Sequence, residues 1–291
     1  MSLFNGQLKR DAIAEYESAY KKHEKSMESL VIESEKLQVK KESLKEAIDY
    51  AWEFLNSMKN KPEKFLVQVE QIRIEFKKFE NAIYQIEQEF EKNIKTSAGL
   101  GAAGVAAGAG VAALGPTAAM SLAMTFGTAS TGTAISTLGG AAATNAALAW
   151  LGGGALAAGG GGIGAGSAFL ALAGPVGWAI GGTALAGASL FARSKNKKAA
   201  EEAFSKAYEI NKHTNILEAT SKEIKSSATI VCETNTELQQ LVEKVQALTK
   251  TYQNDIKNFQ DNDVVMSLLM VLINNTTSAA ELINRPIGAE S

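Results

Sequence analysis

Two glycine triplets, two histidines and one cysteine are the residues whose type and spacing could do chemistry in this chain. Gly99-x-Gly101-x-x-Gly104 and Gly159-x-Gly161-x-x-Gly164 match, letter for letter, the turn that lets a backbone approach a dinucleotide pyrophosphate. That chemistry needs a buried strand running into a helix, with an acidic residue about 20 positions further on to hold a ribose hydroxyl. The first triplet follows a charged helical stretch and the second a glycine-broken apolar one, and no Asp or Glu lies between Thr96 and Ala192. Both matches are products of composition. No Gly-Lys-Ser or Gly-Lys-Thr completes a phosphate loop. Cys232 is the sole cysteine, which excludes an intrachain disulfide and a cysteine zinc cluster. Its place in a helical pattern predicts a small buried hydrophobe rather than a reactive thiol. His23 lies on an apolar stripe and His213 beside one, which predicts solvated or bundle-satisfied imidazoles rather than ligands. With no Ser/His/Asp arrangement and no paired carboxylates in view, the expectation is no enzyme activity, no cofactor, no metal and no small-molecule substrate.

What the residues do offer is physical chemistry, concentrated in one block. Every Asp, Glu, Lys, Arg and His lies outside Thr96–Ala192, and 24 of the 26 glycines lie inside it. Small residues recur there every four positions. Gly104-Gly108-Ala112 is one row and Thr128-Gly132-Ser136-Gly140-Thr144 another. Gly154-Ala158-Gly162-Gly166 continues the theme, with Gly174, Gly182 and Ala186 around Trp178. On helices such rows make flat strips along which backbones approach closely, the packing that associates helices in lipid. Gly132, Gly140, Gly162, Gly166 and Gly182 are therefore the candidate packing positions. Gly104, Gly108, Trp150, Phe169, Leu170, Trp178, Leu185 and Phe191 are the candidate membrane-inserting residues. Trp150 and Trp178 read equally as interface anchors or as packing.

A bilayer crossing takes about 20 apolar residues, so the block has room for up to four. Only 163–192 is strongly hydrophobic; 99–126 and 135–151 are marginal, as suits a segment that is soluble first and inserts later. Basic residues flank it: Lys92 and Lys95 before, Arg193, Lys195, Lys197 and Lys198 after. The positive-inside rule places both flanks on one side and makes the number of crossings even, which fits a hairpin. Two other readings stay open: a flexible low-complexity linker, and a water-soluble core wrapped by its neighbours, which could be the resting state of the same protein.

The elements that must position this block are helical. Residues 1–95 carry 17 basic and 18 acidic side chains, residues 193–291 carry 12 and 13, so each arm is nearly neutral. No broad basic face forms, which argues against nucleic acid. Phe65, Val69, Ile72, Phe76, Phe79, Ile83, Ile86 and Phe90 keep a 4–3 spacing, the repeat of helices packed by knobs into holes. An earlier stripe runs from Tyr20 through Leu30, Leu37, Leu44, Ile48 and Leu55 to Met58, interrupted by Ser34 and Lys41. Asn60-Lys61-Pro62 predicts a turn between antiparallel helices over about 12–58 and 63–95. The second arm keeps 4–3 spacing from Ile210 to Phe259 with no Pro or Gly between Arg193 and Phe259, which predicts one helix of roughly 100 Å. Thr214, Ser221, Asn235 and Thr249 fall on its seam, for register control, by plain tolerance, or to let the bundle rearrange. Asp261-Asn262-Asp263 predicts a break and a helix cap before the apolar run 264–273, which is too short to span a bilayer. That run reads as a short buried helix, with a smaller membrane contact as the alternative, and 285–291 as a loose tail. The first residues lack the basic start and apolar run of a signal peptide. The expectation is synthesis in the cytosol, followed by conversion of a soluble form to a membrane-bound one or export by a non-classical route.

The expected fold is thus all-α: an elongated bundle of long coiled-coil-like helices with a Gly/Ala-rich hydrophobic helical hairpin as its head. Its segments are an N-terminal arm (1–95), the uncharged head (96–192), and a C-terminal arm with a short apolar helix and tail (193–291). In this layout the chain resembles the α-helical pore-forming toxins of the cytolysin A type, by pattern over its whole length and without a diagnostic motif. The resemblance implies a soluble form that hides its head, self-association, paralogous components as further partners, and permeabilisation of a lipid bilayer as toxin or defence effector. The competing expectation is a cytosolic coiled-coil scaffold anchored by the hairpin, which recruits partners or shapes membrane without making a hole.

Overall fold

The computed structural model describes residues 2–97, 123–124, 127, 129, 133–135, 138, 140–151 and 196–287. The chain is all-α: α1 spans Ser2–Ser57, α2 Glu63–Ser97, α3 Gly140–Leu151, α4 Asn196–Lys250 and α5 Asp263–Ile283. A single turn of 3₁₀-helix, Ile256–Asn258, lies between α4 and α5. These helices contribute to two compact units: residues 1–34, 88–223 and 286–291 form the first, and 35–87 and 224–285 the second. The units cut across the sequence segments, because each takes part of both arms.

In the second unit four helical segments share one apolar core. α1 contributes Leu37, Leu44, Ile48, Ala51 and Leu55; α2 contributes Phe65, Val69, Ile72 and Phe79. α4 adds Val231, Leu238, Val242 and Val245, and α5 adds Val265, Leu269, Leu272, Ile273 and Ile283. Those on α1, α2 and α4 are positions that the apolar stripe and the 4–3 spacing single out, and burial of the whole set is the main force holding the helices together. Polar contacts fix the register. Trp52 Nε1 donates to the Val69 carbonyl at 3.1 Å, and Lys45 meets Glu80 at 3.1 Å. Rising numbers on α1 therefore meet falling numbers on α2, the antiparallel pair that the Pro62 turn predicts. Against α4 the pairs are Ser43 with Asn235 and Tyr50 with Gln246, so α1 and α4 run parallel.

The seam's polar residues divide into two kinds. Thr214 and Thr249 return their hydroxyls to the carbonyls of Ile210 and Val245, four residues back, and so are satisfied inside their own helix. Asn235 instead reaches across, its Nδ2 donating to Ser43 Oγ at 3.0 Å, and is the one of the two kinds that specifies register.

The turns at one end of this unit explain where the long helices stop. α4 ends at Lys250, nine residues before the predicted limit at Phe259. Gln253 and Asn254 adopt left-handed backbone, with φ of 58° and 54°, as Asn60 does at 53° in the α1–α2 turn. Asn tolerates that conformation better than most residues because its short polar side chain bonds locally. The two turns then pair: Lys59 N–H donates to the Asn254 carbonyl at 2.9 Å, Ile256 N–H to the Lys59 carbonyl at 3.2 Å, and Asn60 Nδ2 to the Asp255 carboxylate at 2.9 Å. A tertiary turn-to-turn contact thus outweighs the absence of Pro and Gly. Asn262 caps α5, its Oδ1 accepting from Val265 N–H at 3.3 Å, as the Asp261-Asn262-Asp263 sequence predicts. α5 runs on to Ile283, well past the short helix expected over 264–273, and Ile287 is buried rather than part of a loose tail.

In the first unit α1 and α4 meet through alanine. Ala12, Tyr16 and Ala19 pack on Ala199, Ala200, Ala203, Ala207 and Ile210, with Ile13, Tyr20 and Phe204 at the margin. Ala199, Ala203 and Ala207 are four residues apart, so one small-residue strip faces α1 and permits close approach. Further along, Ser26 Oγ and Lys22 Nζ both reach Glu218.

Candidate functional site

The described part of the uncharged block is a small core built on one glycine. α3 is wholly uncharged, and Ala143, Ala147 and Trp150 on it are buried, at the i, i+4, i+7 spacing of one helical face. Ile135, 1% exposed, and Ala123 are buried as well. Gly127 sits where no side chain fits. A Cβ there would stand 2.4 Å from the Ala123 carbonyl oxygen, 2.9 Å from Ile135 Cδ1 and 3.1 Å from Trp150 Cδ2. Its N–H donates to the Ala123 carbonyl at 2.9 Å, and its carbonyl accepts from Ile135 N–H at 3.0 Å. Small beside large is the packing rule: missing atoms at Gly127 make room for the indole of Trp150. The Trp150 Nε1–H is buried and meets no acceptor among the described residues. Leaving such a donor unpaired costs about 1–3 kcal/mol. The apolar gain of burying a large aromatic is of comparable size or larger.

Trp150 is therefore packed, at 3% exposure. Gly140 opens α3. Lys197 and Lys198 stand exposed on the first turn of α4, with Lys197 3.8 Å from Glu201. Lys92 and Lys95 belong to the closing turns of α2. Among the described residues, no contact joins Lys197 or Lys198 to Trp150. Gly104, Gly108, Gly132, Gly162, Gly166, Phe169, Leu170, Trp178, Gly182, Leu185, Phe191, Arg193 and Lys195, and with them the hairpin head, lie outside the described residues.

The titratable groups of interest are buried ones. In the first unit His23 is 5% exposed; burial, reinforced by the neighbouring His213, lowers its imidazole to about 4. His213 is lowered by burial too, with Glu209 pulling it back and Lys212 pushing it further down. Both imidazoles are therefore neutral at pH 7, in keeping with a place inside the bundle. In the second unit Lys41 is 4% exposed, and burial pushes its ammonium down to about 8. Its Nζ donates to the carbonyls of Ile283 at 2.8 Å and Arg285 at 3.2 Å. The sequence shows Lys41 only as an interruption of the stripe; nothing local announces partners more than 240 residues away. The four-residue spacing of Ala199, Ala203 and Ala207 is visible in the sequence, but the strip lies outside the uncharged block that the small-residue rows single out.

Cys232 is exposed, contrary to its expected burial, because it follows the seam residue Val231 and so faces outward. Among the described residues no group of three or more His, Cys, Asp and Glu could hold a metal ion. One helix among them, α5, is long and apolar enough to cross a membrane. The chain matches no protein-family model, and neither a curated protein nor a solved structure is similar to it.

Proposed function

We infer that this protein inserts residues 96–192 into a lipid bilayer, self-associates there and permeabilises it. The observation that carries the reading is the uncharged block itself: no ionisable side chain from Thr96 to Ala192, small residues every four positions, and charged helical arms on both sides. A charge at the centre of a bilayer costs several kcal/mol, and the block has removed every one. Gly and Ala insert weakly by themselves and pack tightly together, which suits helices that become stable in lipid only as an assembly. The arms supply the opposite property, amphipathic helices that stay in water. The Gly127–Trp150 packing supports a water-stable form in which part of the block has its own core. The resemblance to cytolysin A-type toxins supplies the order of events: a soluble form, release of the block, insertion, and assembly into a pore.

The test is dye release from loaded liposomes, with flotation of the same sample. Protein that floats with the lipid and empties it supports the reading. Protein that floats and leaves the vesicles sealed replaces it with the anchored scaffold. Charges introduced by Gly166→Asp and Ala186→Lys should abolish both flotation and release; undiminished insertion of that double variant would remove the block from the mechanism.

A further inference from the structure

We propose that His23 of α1 and His213 of α4 form an acid-sensitive lock in the first unit, whose protonation opens the unit and frees the uncharged block for insertion. The proposal rests on the reading of the chain as a membrane-inserting protein and supplies the trigger which that reading leaves open.

The seam between α1 and α4 brings the two histidines together. In the first unit the seam positions of α1 keep 4–3 spacing through Ala12, Tyr16, Ala19, His23, Ser26 and Leu30, all of them buried. On α4 the buried positions run through Ala203, Ala207 and Ile210 to His213 and Thr214. The helices are parallel here: Ala12, Tyr16 and Ala19 pack on Ala199 to Ile210, and further along Lys22 and Ser26 both reach Glu218, at 3.1 Å and 3.4 Å. That register sets His23 beside His213 in one layer, each 5% exposed. They are the two histidines of the whole chain, and His213 stands near enough for its charge to act on His23.

The layer is poorly suited to charge. Leu37, Leu44, Ile48 and Leu55 seat α1 in the second unit, whereas the first unit relies on alanines, which remove less apolar surface from water. Such a seam has little burial to set against a desolvated imidazolium, and two imidazolium ions side by side also repel. The charged groups around the pair lie on its exposed flanks: Lys22 and Glu24 on α1, and Glu209, Lys212 and Glu218 on α4. Tyr16 and Tyr20 stay neutral in acid, since burial raises both. The closing turns of α2 add Glu89, Glu91, Lys92 and Lys95 to the unit, and 96–192 adds no ionisable group. Glu33, a buried carboxyl of α1, stands ten residues and about 15 Å beyond His23. The Gly127–Trp150 core belongs to the same unit as the pair, so opening at the histidines acts on the unit that holds this part of the block in its water-stable form.

The lock holds above about pH 6.5 and weakens as the pH falls toward 4, because burial and then His213 lower His23 to about 4. At pH 5 the open population rises about 30-fold through His23 alone, and His213, lowered first by burial, acts in the same direction.

The experiment mixes the full chain with dye-loaded vesicles of phosphatidylcholine alone, whose headgroup does not titrate between pH 7 and pH 5. In parallel, without lipid, hydrogen exchange of the amides in 140–151 is followed at both pH values and corrected for the intrinsic pH effect. Release about 30-fold faster at pH 5, with a matching fall in protection, supports the lock. His23→Leu should shrink both ratios by about tenfold or more, and His23→Leu with His213→Leu should abolish them. Release at equal rates at the two pH values would overturn the lock and leave the function standing. An acid response that survives undiminished in the double variant would also overturn it. A loss of protection in acid with the vesicles still sealed would keep the lock and remove permeabilisation. Neither release nor loss of protection at either pH would overturn both. Circular dichroism checks the folding of the leucine variants; should they not fold, His23→Gln, neutral at both pH values, takes their place.

Discussion

Acidification from pH 7 to pH 5 is expected to destabilise the first unit through His23. The imidazole has a folded-state pKa of about 4, set first by burial and then by His213, against an ordinary value of 6.5. Between those two values the unfolded chain takes up a proton that the folded chain refuses. The contribution is therefore fully present above about pH 6.5 and is lost as the pH falls toward 4. Integrating the proton difference gives a loss of about 2 kcal/mol at pH 5 and about 3 kcal/mol at pH 4. His213, also lowered by burial, acts in the same direction. Urea unfolding of a chain with Trp52→Phe and Trp178→Phe leaves Trp150, a residue of the first unit, as the reporter. Between pH 7 and pH 5 this chain should lose about 2 kcal/mol more than its His23→Leu counterpart, which has no proton to accept. Equal losses in the two chains would refute the burial argument, because a histidine open to water has no proton difference to give.

Three further outcomes follow from the same packing. Gly127→Ala places a methyl 2.4 Å from a backbone oxygen that cannot swing aside, so it should cost about 1–3 kcal/mol, read from thermal unfolding by Trp150 fluorescence; an unchanged midpoint would show that the close approach is not real. Lys41 moves stability in the same direction as His23, but in an alkaline window. Its folded pKa of about 8 lies below the ordinary 10.5, so the unfolded chain binds more protons between those values and the second unit should gain up to about 1.4 kcal/mol per pH unit as pH rises from 8 to 10. Lys41→Met should abolish that slope in urea titrations followed through Trp52. Leu238→Ala, which empties a fully buried seam position of α4, should cost about 2–5 kcal/mol in the same assay, whereas Cys232→Ser on the adjacent outward face should change stability by less than about 0.5 kcal/mol.

What was legible in the sequence followed from contrast between apolar and charged side chains. In α2 and α4 all but one pair of successive seam residues, Ala228 and Val231, are separated by Glu, Lys, Gln or Asn, so the 3.5-residue repeat stands out and the buried faces can be assigned from it. Helix ends were less legible. α1 begins well before residue 12, and α4 stops at Lys250 because its turn pairs with Lys59 and Asn60, a contact nearly 200 residues apart that leaves only the mild signal of Asn254 in the sequence. Lys41 shows the same limit. A lysine on an apolar stripe predicts a defect, and only the three-dimensional arrival of the Ile283 and Arg285 carbonyls turns it into a cap.

The uncharged block defeats pattern reading for a different physical reason. Hydrophobic periodicity measures a difference between two faces, and a helix such as Gly140–Leu151, with no charged residue, has little difference to measure. The variable that remains is size. Gly127 against Ile135 and Trp150 shows how it works: the absence of one side chain is what positions the largest one. By the same logic the four-residue rows of Gly, Ala, Ser and Thr are a code written in volume rather than polarity. Volume complementarity operates in water and in lipid alike, since it depends on close packing and not on which solvent is excluded. A segment coded in this way can keep its internal contacts while exchanging water for lipid around it, which a charged amphipathic helix cannot do without exposing its polar face to hydrocarbon. That property is what connects the composition of the block to the proposed insertion step, and it makes size at these positions, more than hydrophobicity, the quantity that substitutions should perturb.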